Sequence, residues 1–215
     1  MRDQYTRWMG PTTRRLWQKQ DAHKGDRKRL FTAVKEALGD ATVLYPGSYV
    51  DVAASFAFTT VTYVDVDRRA AQFFQDAEGV PEILAEGGGS PSATIEFIHA
   101  DYTSDLDLSA QSFDMLVSLY ASFVSEACTR YLRIGGSLLV APSHGDAAMA
   151  AIDPRYELYG VVNSRSGEYR VRTDDLHSYL NPKKPVTVTP AYLHKHQRGI
   201  PYTKSPFAYL FTRTH

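Results

Sequence analysis

The chain has 215 residues, 43% of them hydrophobic and 22% charged, which is ordinary for a globular protein with a real core and excludes a low-complexity or disulfide-dense scaffold. It carries no net charge, yet residues 1–30 hold nine Lys/Arg against three Asp, and residues 181–215 hold six Lys/Arg and no acid. A lone cysteine, Cys128, excludes an internal disulfide and a cysteine-rich zinc site.

Taken in chain order, residues 12–38 read as helical, with Leu30, Val34 and Leu38 at helical spacing, Gly39 as a stop and Gly25 dividing two pieces. "TVLY" is a short apolar run ending at Pro46-Gly47, which suits a buried strand, and "VDVAASFAF" after it reads as a helix. "VTYVDVD" predicts a second strand, "RRAAQFFQDAEG" a helix and "GGGSPS" a loop. "TIEFIHAD" and "SFDMLVSLY" predict a third and a fourth strand. A helix through "SFVSEACTRYL" then leads to a fifth strand in "GGSLLVAPS". Beyond residue 152 the pattern changes to "YELYGVVNS", "GEYRVRT" and a terminal "SPFAYLFTR" strand, expected to close one edge of the sheet, with a short helix at "TDDLHSYL".

Such alternation predicts an α/β fold, a doubly wound and mostly parallel sheet with helices on both faces, formed by one domain over 1–215 with 1–38 as a helical N-terminal segment. Ligands in that architecture bind beyond the carboxyl ends of the strands. The ends here are Tyr45-Pro46-Gly47-Ser48, Asp65-Val66-Asp67, His99-Ala100-Asp101-Tyr102 and Ser118-Leu119-Tyr120. An acid closing the second strand suits ribose hydroxyls, and one after the third can accept from an amino group such as that of adenine. Together they describe a site for a nucleoside-bearing cofactor.

From about residue 30 onward the chain resembles the class I S-adenosylmethionine-dependent methyltransferases. The resemblance is strongest over "IEFIHADYTSDLDLSAQSFDMLVSLYASFVSEACTRYLRIGGSLLVAPS", where "SFDMLVS" is similar to the family's fourth strand and "YLRIGGSLLV" to its helix-turn-strand. It implies S-adenosylmethionine as the cofactor, with Asp65 and the adjoining Val66 at the ribose, Asp101 and Tyr102 at the adenine, and Ser118 to Tyr120 along the methionine side. The family's glycine-rich first turn is altered. Tyr45 stands where an acid is expected, Gly47 keeps the first glycine, and Tyr49 and Asp51 replace the next two. In such a rebuilt turn Tyr45 or Tyr49 would cover the cofactor, Ser48 would bind its carboxylate, and Asp51 would cap the next helix. Tyr120 and His144 are the candidate bases.

Other chemistry is less supported. There is no Gly-x-x-x-x-Gly-Lys-Ser/Thr, Gly-x-Ser-x-Gly or Gly-x-Gly-x-x-Gly pattern. His194 and His196 would share a face on a strand, but no third ligand stands nearby, so no metal is expected and "LHKHQRG" reads as a basic loop. The basic ends suit a small-molecule or anionic substrate, with nucleic acid as a weaker reading. The N-terminal segment, with Tyr5, Trp8 and Trp17, is a candidate lid. No apolar run spans a bilayer and "MRDQYTRWMG" has no signal core, so a cytoplasmic protein is expected. The alternative to an enzyme is an inactive methyltransferase-like binding or scaffold protein.

Overall fold

The computed structural model describes residues 3–215, with side chains from residue 12. Eight strands form one sheet: β1 (Thr42–Pro46), β2 (Thr60–Asp65), β3 (Thr94–His99), β4 (Phe113–Ser118), β5 (Leu132–Val140), β6 (Tyr156–Arg165), β7 (Glu168–Arg172) and β8 (Ala208–Arg213). Their order is β3-β2-β1-β4-β5-β8-β6-β7. The first five strands run parallel to their neighbours, while β8 pairs antiparallel with both β5 and β6, and β7 antiparallel with β6. The α/β, doubly wound, mostly parallel sheet expected from the alternation is therefore present. The terminal β-structure closes one edge of the sheet as expected, with β8 innermost against β5 and β7 at the edge.

The central strands are apolar because both their faces are covered. Successive residues feed opposite layers. Leu44, Leu116, Leu138 and Val140 join one core with Val124, Ala147, Met149 and Leu193. Val43, Tyr45, Met115, Val117 and Leu139 join the other with Leu30, Phe31 and Val34. Those partners come from α5 (Val124–Ala127), α6 (Asp146–Ile152) and α7 (Pro190–His196) on one side and α2 (Asp26–Leu38) on the other.

Four predicted helices are revised: "SFVSEACTRYL" holds an α-helix only over Val124–Ala127 and a 3-10 turn over Thr129–Tyr131, "TDDLHSYL" forms a 3-10 turn over Leu176–Tyr179, and two more change as follows. The segment after β1 forms only a 3-10 turn at Ala53–Phe56. An amphipathic helix needs a wet face, and here Val50 to Ser55 are all buried, beneath α2. The helix predicted over 68–79 ends at Phe74 as α3 (Arg68–Phe74), and a second helix not predicted, α4 (Gly79–Glu86), follows. Asp76 makes the break, accepting the Glu78 and Gly79 amides at 3.3 and 2.9 Å and the Thr13 hydroxyl at 2.6 Å. Asp67, just past the β2 end, caps α3 by taking the Arg69 amide at 2.6 Å.

The N-terminal segment divides at Gly25, in the left-handed region, into α1 (Asp3–Gln20) and α2. Arg14 of α1 pairs with Glu82 and Glu86 of α4, and Trp17 packs on Phe56 at 5.7 Å. Trp17 therefore serves packing at the α3–α4 side and not the strand ends. The side chains of Tyr5 and Trp8 lie outside the described residues. Among the described residues no helix is long and apolar enough to cross a membrane.

Candidate functional site

The strand order reverses between β1 and β4, and crevices form at such reversals beyond the carboxyl ends of the strands. A cleft of about 480 Å³ opens there, within the size range of small-molecule sites. Its walls include Gly47 after β1, Asp65 and Val66 at β2, Asp101 to Thr103 after β3, and Tyr120 to Ser122 after β4. The structure thus gathers six of the residues singled out from the sequence: Gly47, Asp65, Val66, Asp101, Tyr102 and Tyr120.

The two carboxylates are held differently. Asp65 Oδ2 accepts the Tyr49 amide at 2.7 Å and Oδ1 the Asp67 amide at 2.8 Å. Each oxygen keeps a second lone pair for a ligand hydroxyl. Asp101 is exposed and takes the Thr103 amide at 2.9 Å and hydroxyl at 2.8 Å, both on Oδ1. Those bonds hold its pKa below the ordinary carboxylate value. Oδ2 faces no bonded partner from Thr103, so it suits an amino group. Tyr102 donates its hydroxyl to the Ser122 carbonyl at 2.8 Å, tying the β3 and β4 turns together.

Gly47 has φ +64°, and a Cβ there would lie 2.6 Å from the Ala121 Cβ. Glycine is required by this close approach of the β4 turn as well as by the left-handed backbone. The remainder of the altered turn faces inward. Tyr45 is 2% exposed and donates to Asp51 Oδ2 at 3.1 Å, while Asp51 Oδ1 accepts the Ala53 amide at 3.0 Å. Burial drives the Tyr45 pKa well above the phenol range and raises that of Asp51, against the opposing pull of Arg27 on both. Tyr49 is half-buried against the cluster that holds Val50, Val52 and Phe73, and its backbone amide reaches Asp65. Ser48 is buried too. The cover expected from Tyr45 and the carboxylate ligand expected from Ser48 are thus turned into the protein, while Tyr49 stays half-buried. The reason is that α2 covers this turn, so its side chains pack against Leu30, Phe31 and Val34 instead of facing the cleft.

Ser118 is likewise removed from the cleft. It is 1% exposed and donates at 2.5 Å to Asp146, which also accepts the Ser125 hydroxyl and amide. This buried group joins β4, α5 and α6. Burial raises the Asp146 pKa, and the bonds from Ser118 and Ser125 pull against that rise. Nothing local marks it, since its members are 28 residues apart. His144 sits in the turn after β5 with φ +62° and does not line the cleft; its Nδ1 is buried without a partner among the described residues. His194 and His196 lie on α7 instead of a loop, so two-residue spacing separates their faces. His194 pairs with Glu126 at 2.9 Å and stacks on Phe123. Among the described residues no group of three or more His, Cys, Asp or Glu is placed to hold a metal. Cys128 is a buried core thiol, its pKa pushed up to about 12 by burial.

The sequence reading did not single out Thr103, Ala121 and Ser122 of the walls, although all three adjoin strand ends. It also missed Arg27, whose guanidinium lies 4.5 Å from the Tyr120 ring centre. Arg27 belongs to α2, and nothing near it in the chain connects it to Tyr120.

No protein-family model and no curated protein matches the chain. Solved structures do resemble it. One is an S-adenosylmethionine-dependent methyltransferase of Thermotoga maritima, 14% identical, covering 96% of this chain and 100% of that one at a TM-score of 0.48. Another is a ribosomal protein methylase of Lactobacillus delbrueckii subsp. bulgaricus, 11% identical, covering 87% and 77% at 0.48. With a Methanococcus maripaludis structure assigned to the same class of methyltransferase the identity is 12% and the TM-score 0.44, and the match spans 63% of each chain, under two thirds of that protein. The likeness is one of chain path and assigns no residue its chemistry.

Proposed function

We propose that the protein is an S-adenosylmethionine-dependent methyltransferase whose cofactor lies in the 480 Å³ cleft. The observation that carries this reading is the pair Asp65 and Asp101. Two acids from adjacent strand ends share one cleft at the reversal of strand order, and both retain unused acceptor capacity. Asp65 would hold the ribose hydroxyls and Asp101 the adenine amino group. Val66 and Tyr102 would flank the nucleoside, and Gly47 with Tyr120 would border the sulfonium end.

The bound cofactor would supply an activated methyl group, which leaves positioning and proton removal to the protein. Tyr120 is the candidate to meet the acceptor, being 59% exposed at the cleft and stacked by Arg27. His144 stands as the second candidate base, from outside the cleft.

One observation favours the alternative of a non-catalytic binding module. The Gly47–Ala121 approach and the Tyr49 amide on Asp65 narrow the space beside the first turn. Calorimetric titration with S-adenosylmethionine and S-adenosylhomocysteine separates the two. Binding in the micromolar range, weakened at least tenfold in Asp65→Ala, is the expected result. Silence of the folded wild type towards both ligands would reject the enzyme reading.

A further inference from the structure

A second, smaller cavity of about 190 Å³ lies on the other side of Tyr120. It is built at the carboxyl ends of β4 and β5. Leu119 and Tyr120 come from the first, Pro142 and Ser143 from the second, Phe207 from the approach to β8, and Arg27 from the first turn of α2. Tyr120 lines both this cavity and the larger cleft.

Its polar groups are left unmatched. Arg27 Nη1 and Ser143 Oγ are shielded from solvent and have no hydrogen-bond partner among the described residues, and the same holds for Nδ1 of the adjacent His144. An unpaired buried polar group costs about 1–3 kcal/mol, and more when charged, so such a cluster is not a neutral packing choice. Asp51 does not resolve it: it acts on Arg27 electrostatically, while its hydrogen bonds go to the Tyr45 hydroxyl and the Ala53 amide. Burial works against the Arg27 charge, yet the facing phenol of Tyr45 and the Asp51 carboxylate keep its pKa above the ordinary value, so the cation persists.

The chemistry of the walls defines the occupant. Arg27 and Ser143 offer N–H and O–H donors, which call for an acceptor-only anionic group. Leu119, Pro142, Phe207 and the Tyr120 ring offer apolar and aromatic surface to a carbon body. Inorganic phosphate, polar on every side, would satisfy the donors and waste the walls. We propose that this cavity binds a small organic carboxylate, with Arg27 and Ser143 on the carboxylate and the aromatic wall on its carbon body. Resting on the methyltransferase reading above, this carboxylate is the recognition handle of the methyl acceptor, placed against Tyr120 at the edge of the cofactor cleft.

Benzoate is the probe, with inorganic phosphate as its control. Both are titrated calorimetrically into wild type, Arg27→Met, Arg27→Lys and Ser143→Ala, each shown to be folded by circular dichroism. Expected is benzoate binding to wild type, about tenfold weaker in Arg27→Met, partly restored in Arg27→Lys and several-fold weaker in Ser143→Ala. S-adenosylhomocysteine affinity should stay unchanged in Ser143→Ala, whose residue does not line the cofactor cleft. Equal benzoate affinity in wild type and Ser143→Ala and Arg27→Met, or none in the folded wild type, overturns the pocket. Phosphate binding tighter than benzoate overturns the carboxylate assignment. Arg27-dependent benzoate binding in a protein silent to S-adenosylhomocysteine would overturn the acceptor role while leaving the carboxylate pocket in place.

Discussion

The turns after β1 and after β3 border the same cleft and are built in opposite ways. The first is closed. From Val50 to Ser55 its residues are buried, and its acid, Asp51, is 1% exposed and enclosed by Tyr45 and Ala53. The second is open: Asp101 is exposed and bonded within its own turn, to Thr103. Both acids follow a strand of the parallel sheet, yet one supports the framework and the other faces whatever enters. The contrast teaches that position at a strand end does not decide a role; the cover above the turn does. α2 and the aromatic layer of Phe31, Tyr45 and Tyr63 cover the first turn, while Asp101 in the second stays open to solvent.

The sharpest way to break this comparison is to remove each acid. Asp51→Ala leaves the Tyr45 hydroxyl and Ala53 amide buried without their acceptor and removes the carboxylate that acts on Arg27. A loss of roughly 3 kcal/mol in denaturant unfolding is expected. Asp101→Ala should cost far less stability, since it loses only the bonds within its own turn, and, on the proposed reading, weaken S-adenosylhomocysteine about tenfold. Equal destabilisation by the two would erase the distinction between framework and ligand-facing turns.

Gly47→Ala tests how firmly the closed turn meets the β4 turn. The added methyl would confront Ala121 at 2.6 Å on a left-handed backbone, so about 2 kcal/mol of stability should be lost. The double variant Gly47→Ala with Ala121→Gly should recover the part due to the clash and not the part due to φ. A stability equal to wild type in the single variant would mean that the turns separate at little cost.

The smallest effect expected is in the pH dependence, and its sign differs between the acids. Burial raises the Asp51 pKa in the folded state, so the native protein favours its protonated form. The advantage of wild type over Asp51→Asn should therefore grow as the pH falls through that raised value. The Asp101 pKa is lowered by its Thr103 bonds from the ordinary 3.8. Its contribution is present above that value and lost as the pH falls through the depressed one. Unfolding curves of the two Asn variants from pH 8 to pH 3 should diverge from wild type in opposite directions. Parallel curves would contradict the assigned environments.

The sequence by itself determined much of this protein. The five parallel strands, the division of the N-terminal helices at Gly25, the cap at Asp67, and the gathering of Gly47, Asp65, Asp101 and Tyr120 at one end of the sheet were all legible. Such features follow from local pattern: β-branched apolar runs, turn residues and the direction in which a parallel sheet sends its strand ends. Tertiary structure alone decided that 50–58 would not be a helix, that β8 would enter the sheet beside β5, that Tyr45 and Ser118 would turn inward, and that Arg27 would reach Tyr120 across 93 positions of chain. Each of these depends on what covers a surface. Cover is supplied by elements distant in sequence, such as α2 over the first turn and Asp146 beneath Ser118. A strand's hydrophobicity announces that it will be buried, but which side chains are left facing the cleft is settled only when the layers pack.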